Sequence, residues 1–326
     1  MRRQYCQWFV IFLLLIFTFT GYWFGRRSCF YEILDRNLYT NQEPEKANTG
    51  LRLKTAKFER EARKYALQKC CRPTSLSAQE LKNVLKHVIV DRKNKLLYCY
   101  IPKVASSNMK RLILTLQNFT EDSNAIRYFD QRGFEFLGDV SPQDRKHMLD
   151  TYFKFLFVRN PFVRMVSAYR NKFHGKNVQF QIRIGKDIVR KYRKPSIPIN
   201  EVKGDDVAFQ EFVKYLIDKN NDLQTMNEHW MPMYELCQPC HINYDFIGSF
   251  ENLDFDINAL LARLHASKSV TFPRKQSHYG NPITKKEIEG FFQNIAVDDY
   301  ISLYKRYLND FKCFNYKFTT SKQMLN

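Results

Sequence analysis

Apolar runs of strand length alternate along the chain with stretches in which apolar residues recur at helical spacing. The runs at 96–101 (LLYCYI), 154–158 (KFLFV) and 244–250 (YDFIGSF) each predict a buried strand. Helical spacing predicts helices over 76–88, 107–117, 180–194, 207–219, 252–265 and 284–308, together with one that starts at Pro161. Strands and helices that alternate in this order are typical of a parallel sheet covered by helices. The pattern therefore predicts an α/β fold around a central parallel sheet.

The longest apolar run lies near the start of the chain, where residues 8–24 (WFVIFLLLIFTFTGYWF) contain no charge. As a helix this run would be about 25 Å long, which suits the thinner membranes of the early secretory pathway. No small-residue cleavage pattern follows it, so we expect an uncleaved signal-anchor rather than a removed signal peptide. The expected organisation is a cytoplasmic tail at 1–7, a transmembrane helix at 8–24, a polar lumenal stem at 25–69 and a folded domain at 70–326.

The charge of the chain indicates an acidic partner. There are 52 Lys and Arg residues against 33 Asp and Glu residues, which gives a formal net charge of +19. A surplus of this size favours binding to nucleic acid, acidic lipid or acidic polysaccharide. If the folded domain lies in the lumen, chromosomal DNA is not accessible to it, and acidic glycans become the expected partner.

Seven cysteines follow the apolar run and would therefore lie in an oxidising compartment, where disulfides are expected. Cys237 and Cys240 form half of a zinc motif without a second half, so disulfide bonding is the preferred interpretation and no metal site is predicted. The odd number leaves one cysteine free or able to bridge two chains. Asn118 begins an N-glycosylation sequon, which has meaning only with this topology.

The segment IPKVASSNMK at 101–110 follows a predicted strand and opens a predicted helix. The N-terminus of such a helix offers unpaired backbone N–H groups and the positive end of the helix dipole to an anion. Lys103 adds a positive charge, and Ser106 and Ser107 add hydroxyl donors. The segment has no glycine and does not match G-x-x-x-x-G-K-[ST], so an ATPase or a kinase is disfavoured. A surface turn capped by serine is the alternative explanation.

A second segment of the same kind, RNPFVRMVS at 159–167, follows the predicted strand 154–158. Arg159 stands at the carboxyl end of that strand, where open α/β sheets bind ligands. Ser167 lies two turns into the next helix and could face the same anion as Arg159 or Arg164. A helix start with solvated arginines would also explain this segment alone. Two such sites in one chain suit a ligand with two separated phosphate-type groups.

The two segments IPKVASSNMKR and KFLFVRNPFVRMVSAYRNKF together resemble the cofactor motifs of Golgi carbohydrate sulfotransferases, of the branch that contains the chondroitin, dermatan and HNK-1 enzymes. The similarity continues through GDDVAFQEFVKYLID, MNEHWMPMYELCQPCHINYDFIGSFENL, VTFPRKQ and YLNDFKCFNY, and it covers roughly residues 70–317. The block that joins NEHWMP to LCQPC is most similar to dermatan 4-O-sulfotransferase. The resemblance implies a P-loop-like sulfotransferase fold and 3′-phosphoadenosine 5′-phosphosulfate (PAPS) as the sulfate donor, without a metal.

The resemblance also implies a role for each motif. The loop from Pro102 to Asn108 would hold the 5′-phosphosulfate, with Lys103 as a catalytic residue near the bridging oxygen that gains charge as sulfate leaves. Arg159 and Ser167 would bind the 3′-phosphate. The residues assigned to donor binding are Pro102, Lys103, Val104, Ala105, Ser106, Ser107, Asn108, Arg159, Asn160, Pro161, Phe162, Val163, Arg164, Met165, Val166 and Ser167.

Transfer of a sulfuryl group to a hydroxyl needs a base that takes the hydroxyl proton. His229, in the motif NEHW, falls in a block shared with the family and is the first choice for this catalytic base. A structural histidine packed beside Trp230 is the alternative explanation. His147, just before the second predicted strand, and Glu228 are further candidates, while His87 on a helix face is expected to be structural.

The acceptor side has a weaker signal. The stretch IRIGKDIVRKYRK at 182–194 carries basic residues at Arg183, Lys186, Arg190, Lys191, Arg193 and Lys194. A solvated helix face and a track for a polyanion are equally good explanations of such a run. Beside a sulfotransferase site, a track would bind a glycosaminoglycan chain with an affinity that falls as salt rises.

We therefore expect a single-pass type II Golgi membrane protein with a lumenal sulfotransferase domain. It would transfer sulfate from PAPS to the 4-hydroxyl of N-acetylgalactosamine in dermatan or chondroitin. Two alternatives stay open, namely a sulfotransferase for another glycan, such as HNK-1-type glucuronic acid, and a catalytically silent glycan-binding Golgi protein. A nucleic-acid-binding protein would need a cytosolic or nuclear domain and is not expected.

Overall fold

The computed structural model describes residues 49–72, 74–117, 133–175, 177–196, 198–273 and 283–318. The expected membrane span at 8–24 and the sequon at Asn118 lie outside these residues. Within them, no helix combines the length and the hydrophobicity that crossing a membrane requires. All of the described residues belong to one structural unit, which spans 46–326.

The described residues form a five-stranded sheet with β1 at Val88–Asp91, β2 at Leu96–Cys99, β3 at Glu135–Phe136, β4 at Phe153–Val158 and β5 at Phe246–Ser249. The order across the sheet is β3-β1-β2-β4-β5. β4 pairs in parallel with both β2 and β5, with Leu97 opposite Lys154 and Leu156 opposite Ile247. These three strands are the ones that the apolar runs predicted, and their parallel arrangement is confirmed.

The expected parallel sheet is found at its centre but not at one edge, where β1 pairs antiparallel with both β2 and β3. The four residues of β1, VIVD, follow directly on a helix and have too little length for a periodic signal of their own. Asp91 stabilises the turn into β2, since its carboxylate accepts hydrogen bonds from the backbone N–H (3.1 Å) and the side-chain amide (2.7 Å) of Asn94. A connection this short joins antiparallel strands, whereas a parallel pair needs a long crossover.

Helices flank the sheet. In chain order they are α1 (Thr49–Cys70), α2 (Ala78–His87), α3 (Ser106–Leu116), α4 (Pro142–Thr151), α5 (Pro161–Lys172), α6 (Val178–Phe180), α7 (Lys186–Tyr192), α8 (Phe209–Ile217), α9 (Met233–Cys237), α10 (Pro239–Ile242), α11 (Leu253–Arg263), α12 (Lys285–Gln293), α13 (Val297–Arg306) and α14 (Leu308–Cys313). Short 3-10 turns span Leu137–Asp139, Ile199–Glu201 and Leu223–Thr225, and a π-turn spans Gln181–Gly185. The helices predicted at 76–88, 107–117, 207–219 and 252–265, and the one starting at Pro161, are confirmed as α2, α3, α8, α11 and α5.

Two stretches predicted as single helices are interrupted. The stretch 284–308 contains α12, α13 and the start of α14, because the backbone is extended at Ala296 and leaves helical geometry at Tyr307. The stretch 180–194 is divided between the end of α6, the π-turn and α7. In the π-turn, Gly185 lies so close to the backbone of Gly204 that a Cβ atom would overlap the Gly204 carbonyl oxygen.

Helix α1 falls mainly within the stretch 25–69 that the sequence assigned to a stem, yet it packs against the sheet. Arg60 donates to Asp256 at 2.6 Å, and Arg63 donates to the same carboxylate at 3.2 Å. Asp256 is fully buried and also accepts from the backbone N–H of Ser249, the last residue of β5, at 2.7 Å. These ion pairs join α1 to the carboxyl end of the sheet.

Three disulfides connect distant parts of the described chain, namely Cys70–Cys313, Cys71–Cys240 and Cys99–Cys237. Cys237 and Cys240 thus form disulfides as expected, although each has a different partner. No cluster of His, Cys, Asp or Glu within the described residues could hold a metal ion. The disulfides attach the region at the end of α1 to α14 and α10, and β2 to α9.

Candidate active site

Three loops meet at the carboxyl ends of the parallel strands. β2 continues through residues 100–105 into α3, β4 continues through 159–160 into α5, and β5 continues through 250–252 into α11. Because the strands are parallel, these loops share one edge of the sheet, where open α/β sheets bind ligands. Both segments that the sequence identified as anion sites therefore lie at the same edge.

The first loop, 100–105, leaves the start of α3 open to a ligand. Lys103 and Ala105 have φ angles of 73° and 59°, so the chain turns sharply before the helix. Ala105 is the N-cap residue, and no side chain caps the first N–H groups of α3 from this position. Ser106 is half-buried and Ser107 is exposed, both in the first turn. An anion at this point would meet backbone donors, hydroxyl groups and the positive end of the helix dipole.

Arg159 connects the second loop to the first. Its Nη1 donates to the carbonyl oxygen of Lys103 at 3.0 Å, and its guanidinium lies 4.0 Å from the ring centre of Phe250. Its Nε is buried and has no hydrogen-bond partner in the described part of the chain. Burial lowers the pKa of Arg159 to about 10, so the side chain stays charged at neutral pH. A cation with a buried, unsatisfied donor is well suited to bind an anion.

Lys103 is surrounded by other cations. Burial lowers its pKa to about 7, and the charges of Arg159, Lys172 and Arg164 act in the same direction. In the protein alone the side-chain amine of Lys103 is therefore only partly protonated at neutral pH. A bound anion reverses this effect, because it favours the charged form of lysine. The loop is thus arranged for a ligand that carries negative charge.

Most side chains of the segment 159–167 pack or cap instead of facing a ligand. Asn160 caps α5, since its Oδ1 accepts from the N–H groups of Phe162 (3.0 Å) and Val163 (3.2 Å). The apolar members are buried in the core, and they are Pro161, Phe162, Val163, Met165 and Val166. Arg159 and Ser167 are half-buried, so side-chain contact with a ligand is left to these two residues.

Arg164 holds two parts of the site together. It is 1% exposed, and its guanidinium donates to three carbonyl oxygens, from Nε to Pro102 (3.0 Å), from Nη1 to Met231 (2.8 Å) and from Nη2 to Glu228 (2.8 Å). An arginine engaged in this way attaches the first loop to the segment 227–231. The side chain of Arg164, which the sequence assigned to donor binding, is thus engaged by the protein's own backbone.

His229 lies in the segment that Arg164 holds. Its Nδ1 is 2.8 Å from Oδ1 of Asn227, and the same Oδ1 accepts from the backbone N–H of His229 at 3.1 Å. Because a backbone N–H only donates, this atom is an acceptor, so Nδ1 carries the ring proton and Nε2 keeps its lone pair. Burial and the charge of Lys172 lower the pKa of His229 to about 3, so the ring is neutral. The site therefore presents an unprotonated Nε2, as a general base requires.

Glu228, the neighbouring candidate base, belongs to a separate hydrogen-bonded group. Its Oε2 accepts from the hydroxyl of Tyr100 at 3.0 Å and from Nε2 of His87 at 3.1 Å. Burial acts to raise the pKa of Glu228, but the hydrogen bonds from His87 and Tyr100 help to outweigh it, and the pKa is lowered to about 2. Two hydrogen-bond donors already occupy this carboxylate oxygen, whereas Nε2 of His229 keeps its lone pair. His229 is therefore the better placed of the two.

The further candidate His147 lies away from the loops of the candidate site. It lies in α4, which leads into the first residue of β4, and its ring lies 6.5 Å from that of Tyr152. The loops of the candidate site follow the last residues of the strands. His147 is therefore at the opposite edge of the sheet.

Lys172 is the residue near the site that sequence reasoning missed. It lies in the last turn of α5, and its Nζ is 4.0 Å from the ring centre of Phe180. Phe180 in turn packs edge-on against His229, with ring centres 5.5 Å apart. The motif SAYRNKF contains Lys172, but local spacing does not distinguish a buried lysine from a solvated one.

Ion pairs partly neutralise the basic run at 182–194. Arg193 donates to Glu211 at 2.8 Å, and Lys191 lies 2.6 Å from a carboxylate oxygen of Asp218. These pairs reduce the positive charge that the run can offer to a polyanion. The solvated-face explanation is therefore favoured for the exposed Lys191, whereas Arg193 is half-buried and pairs with the buried Glu211.

Comparison with known proteins identifies relatives of the whole site. A family model described as "Sulfotransferase family" matches residues 86–317, which include both loops and the segment 227–231. Carbohydrate sulfotransferase 14 of Danio rerio is 42% identical over 243 residues, which cover 74% of this chain and 65% of the relative. Carbohydrate sulfotransferase 11 of Rattus norvegicus is 40% identical over 259 residues, which cover 76% of this chain and 72% of the relative.

A more distant match is carbohydrate sulfotransferase 9 of Homo sapiens, which is 33% identical over 264 residues, with 78% of this chain and 59% of the relative covered. The chain spans 64–65% of the length of the carbohydrate sulfotransferase 14 proteins that it matches. The comparison with solved structures finds no match. These findings confirm the resemblance that the two loop motifs indicated.

Proposed function

Since the chain belongs to the sulfotransferase family, we propose that it is an enzyme that transfers a sulfuryl group from PAPS to the 4-hydroxyl of N-acetylgalactosamine in dermatan or chondroitin. The observation that carries the proposal is the attachment of the segment containing His229 to the first anion-binding loop through Arg164. A candidate base thus lies beside the place where an anionic donor would bind. A carbohydrate acceptor is supported by the relatives, which are named as carbohydrate sulfotransferases.

Family membership implies PAPS as the sulfate donor, and the residues at the sheet edge fit it. PAPS carries anionic groups at both the 5′ and 3′ positions of its nucleoside, and it supplies the sulfuryl group when bound. The start of α3, which lacks a side-chain cap, would hold the phosphosulfate together with Lys103 and the adjacent serines. Arg159, with its unsatisfied Nε, and Ser167 would hold the 3′-phosphate.

The side chains have different roles in the proposed reaction. His229 takes the proton of the acceptor hydroxyl at Nε2, while Asn227 accepts from its other ring nitrogen. Lys103 places positive charge where negative charge develops on the departing oxygen. Arg164 acts as a positioning residue, because it contacts only backbone carbonyl groups in its three hydrogen bonds.

The acceptor and the location are the finer parts of the proposal. The block from NEHWMP to LCQPC resembles dermatan 4-O-sulfotransferase, which supports N-acetylgalactosamine as the acceptor sugar. The three disulfides support an oxidising compartment. Together with the apolar run at 8–24, they support a type II membrane protein with its catalytic domain in the Golgi lumen.

The test is a transfer assay with the full chain, made in a eukaryotic host and solubilised in detergent. Labelled PAPS is offered with desulfated dermatan, chondroitin and heparosan separately, and each product is digested to disaccharides to locate the sulfate. We expect label at the 4-position of N-acetylgalactosamine, and the ratio of the two products identifies the preferred chain. If the protein binds adenosine 3′,5′-bisphosphate but transfers sulfate to none of the three chains, the proposed acceptor is rejected. The proposed donor site would then still stand.

Three variants test the assigned residues in the same assay, with the exposed-lysine variant Lys268→Ala as a control. Lys103→Ala and Arg159→Ala should abolish transfer in protein that still folds. Full activity in either variant would reject the donor site. His229→Ala should lose turnover and still bind the bisphosphate, whereas unchanged turnover would exclude His229 as the base.

A further inference from the structure

Within the described chain, Lys172 is a buried lysine that makes no ion pair, although the charge of Glu228 acts on it from beyond ion-pair distance. Only 8% of the residue is exposed, and its Nζ lies 4.0 Å from the ring centre of Phe180. Its Nζ makes no ion pair or hydrogen bond among the described residues. Burial disfavours the ammonium and lowers the pKa of Lys172, and the charge of Glu228 opposes this only in part. A lysine in this position is therefore expected to meet an anion from outside the chain.

The ammonium of Lys172 lies on the acceptor side of the site. Lys172 is the last residue of α5, so its Cα lies about 16 Å along the helix axis from Pro161, and its long side chain is what reaches the site. Its neighbour Phe180 contacts His229 and Trp230, with ring centres 5.5 Å and 6.1 Å apart. An acceptor hydroxyl must lie within hydrogen-bond reach of the base. Lys172 therefore flanks the place where the acceptor sugar would lie.

The positive charge of Lys172 affects two residues of the candidate site, His229 and Lys103. It lowers the pKa of His229 and the pKa of Lys103, so its ammonium is near both the candidate base and the first loop. Lys103 and Arg159 already supply cations for the two ends of the donor. A third buried cation beside His229 is consequently left for an anion that the acceptor brings.

We propose that Lys172 binds the carboxylate of the uronic acid that adjoins the sulfated sugar, and that it thereby selects acidic glycan chains. The inference rests on the proposed function, because chains that alternate N-acetylgalactosamine with a uronic acid place a carboxylate next to every acceptor sugar. Phe180 packs against the ammonium on one side. Lys172 is then a specificity-determining residue of the acceptor site.

Direct binding to the full chain tests this assignment. The probes are an unsulfated chondroitin hexasaccharide, the same hexasaccharide with its carboxylates reduced to alcohols, and adenosine 3′,5′-bisphosphate. We expect Lys172→Met to weaken binding of the native hexasaccharide about tenfold or more, since a charge-assisted hydrogen bond is lost. Lys172→Arg should retain most of the affinity, and the control Lys268→Met should retain all of it. Neither Lys172 variant should change the affinity for the bisphosphate.

The reduced hexasaccharide completes a double-mutant cycle between Lys172 and the carboxylate. We expect it to bind the unchanged chain and Lys172→Met with equal affinity. Equal affinity of these two proteins for the native hexasaccharide would overturn the inference and leave the proposed function standing. Weaker bisphosphate binding by Lys172→Met would overturn the inference, because Lys172 would then contact the donor. An equal loss of affinity for both hexasaccharides would also overturn it, because Lys172 would then have only a packing role. A chain that binds the bisphosphate and neither hexasaccharide would contradict the proposed acceptor class itself.

Discussion

Oδ1 of Asn227 lies 2.8 Å from Nδ1 of His229 and accepts its proton, while also accepting from the backbone N–H of the same histidine at 3.1 Å. This pair fixes the tautomer of the imidazole without a ligand. Nε2 is left as the ring nitrogen with a lone pair. The orientation of the candidate base is thus determined by a residue two positions earlier in the chain.

Replacement of Asn227 should change the tautomer or the pKa of His229 while the imidazole itself stays in place. In Asn227→Leu the imidazole loses the acceptor that fixes its tautomer, and we expect kcat to fall about tenfold to a hundredfold. In Asn227→Asp the new carboxylate favours the imidazolium and raises the pKa of His229, so the acidic limb of the kcat/KM profile should move to higher pH. If the acidic limb of the kcat/KM profile lies at the same pH in Asn227→Asp as in the unchanged chain, then ionisation of His229 does not determine that limb.

Replacement of Arg164 should loosen the site and the fold together. Arg164→Met leaves three backbone carbonyl groups without their donors, and we expect the free energy of unfolding to fall by about 3 kcal/mol or more. Urea denaturation measures this change, and Arg170→Met in the same helix is the control. Arg164→Lys should restore little, because one ammonium does not reproduce a planar guanidinium fork. Wild-type stability in Arg164→Met would contradict the assigned positioning role.

Donor-analogue binding should take up protons at mildly alkaline pH. The pKa of Lys103 is about 7 in the protein alone, so at pH 8 most molecules carry a neutral amine there. An anionic ligand favours the ammonium, and binding of adenosine 3′,5′-bisphosphate should therefore take up as much as about 0.9 proton from this group. Titration calorimetry in buffers of different ionisation enthalpy measures the uptake. At pH 5.5, where Lys103 is already charged, its contribution should disappear.

The variant Lys103→Met isolates this proton uptake. It should remove most of the uptake at pH 8 and weaken binding, because both the titrating group and its charge are lost. If the uptake in Lys103→Met equals that of the unchanged chain, another group takes up the proton.

Helix α1 should be required for stability. Asp256→Asn removes the charge that Arg60 and the buried Arg63 share, and we expect a loss of about 3–5 kcal/mol in the free energy of unfolding. The exposed Asp254 in the same helix provides the control variant Asp254→Asn. A chain that starts at residue 71 should likewise be unstable, whereas one that starts at residue 46 should fold. Equal stability of these two chains would show that α1 is not part of the folded domain.

Local sequence determined the centre of the fold and the position of the donor loops. β2, β4 and β5 have apolar runs long enough to identify, and each is followed by a helix with regular apolar spacing. Because parallel strands end at one edge, the order of these elements also brings Lys103 and Arg159 together. β1 and β3 have four and two residues, so their pairing depends on contacts and not on a local pattern.

Only the tertiary structure decided which basic residues bind and which support. Arg159 and Arg164 occupy one short motif, but only Arg159 keeps an unsatisfied donor, whereas Arg164 is enclosed by carbonyl groups. Those carbonyl groups lie 62 to 67 residues away along the chain, so no local spacing could have identified them. Lys172 was missed for the same reason, since its burial depends on Phe180 and on the packing around it. The sequence specifies residue types and local geometry, while burial and partners are set by contacts between distant segments.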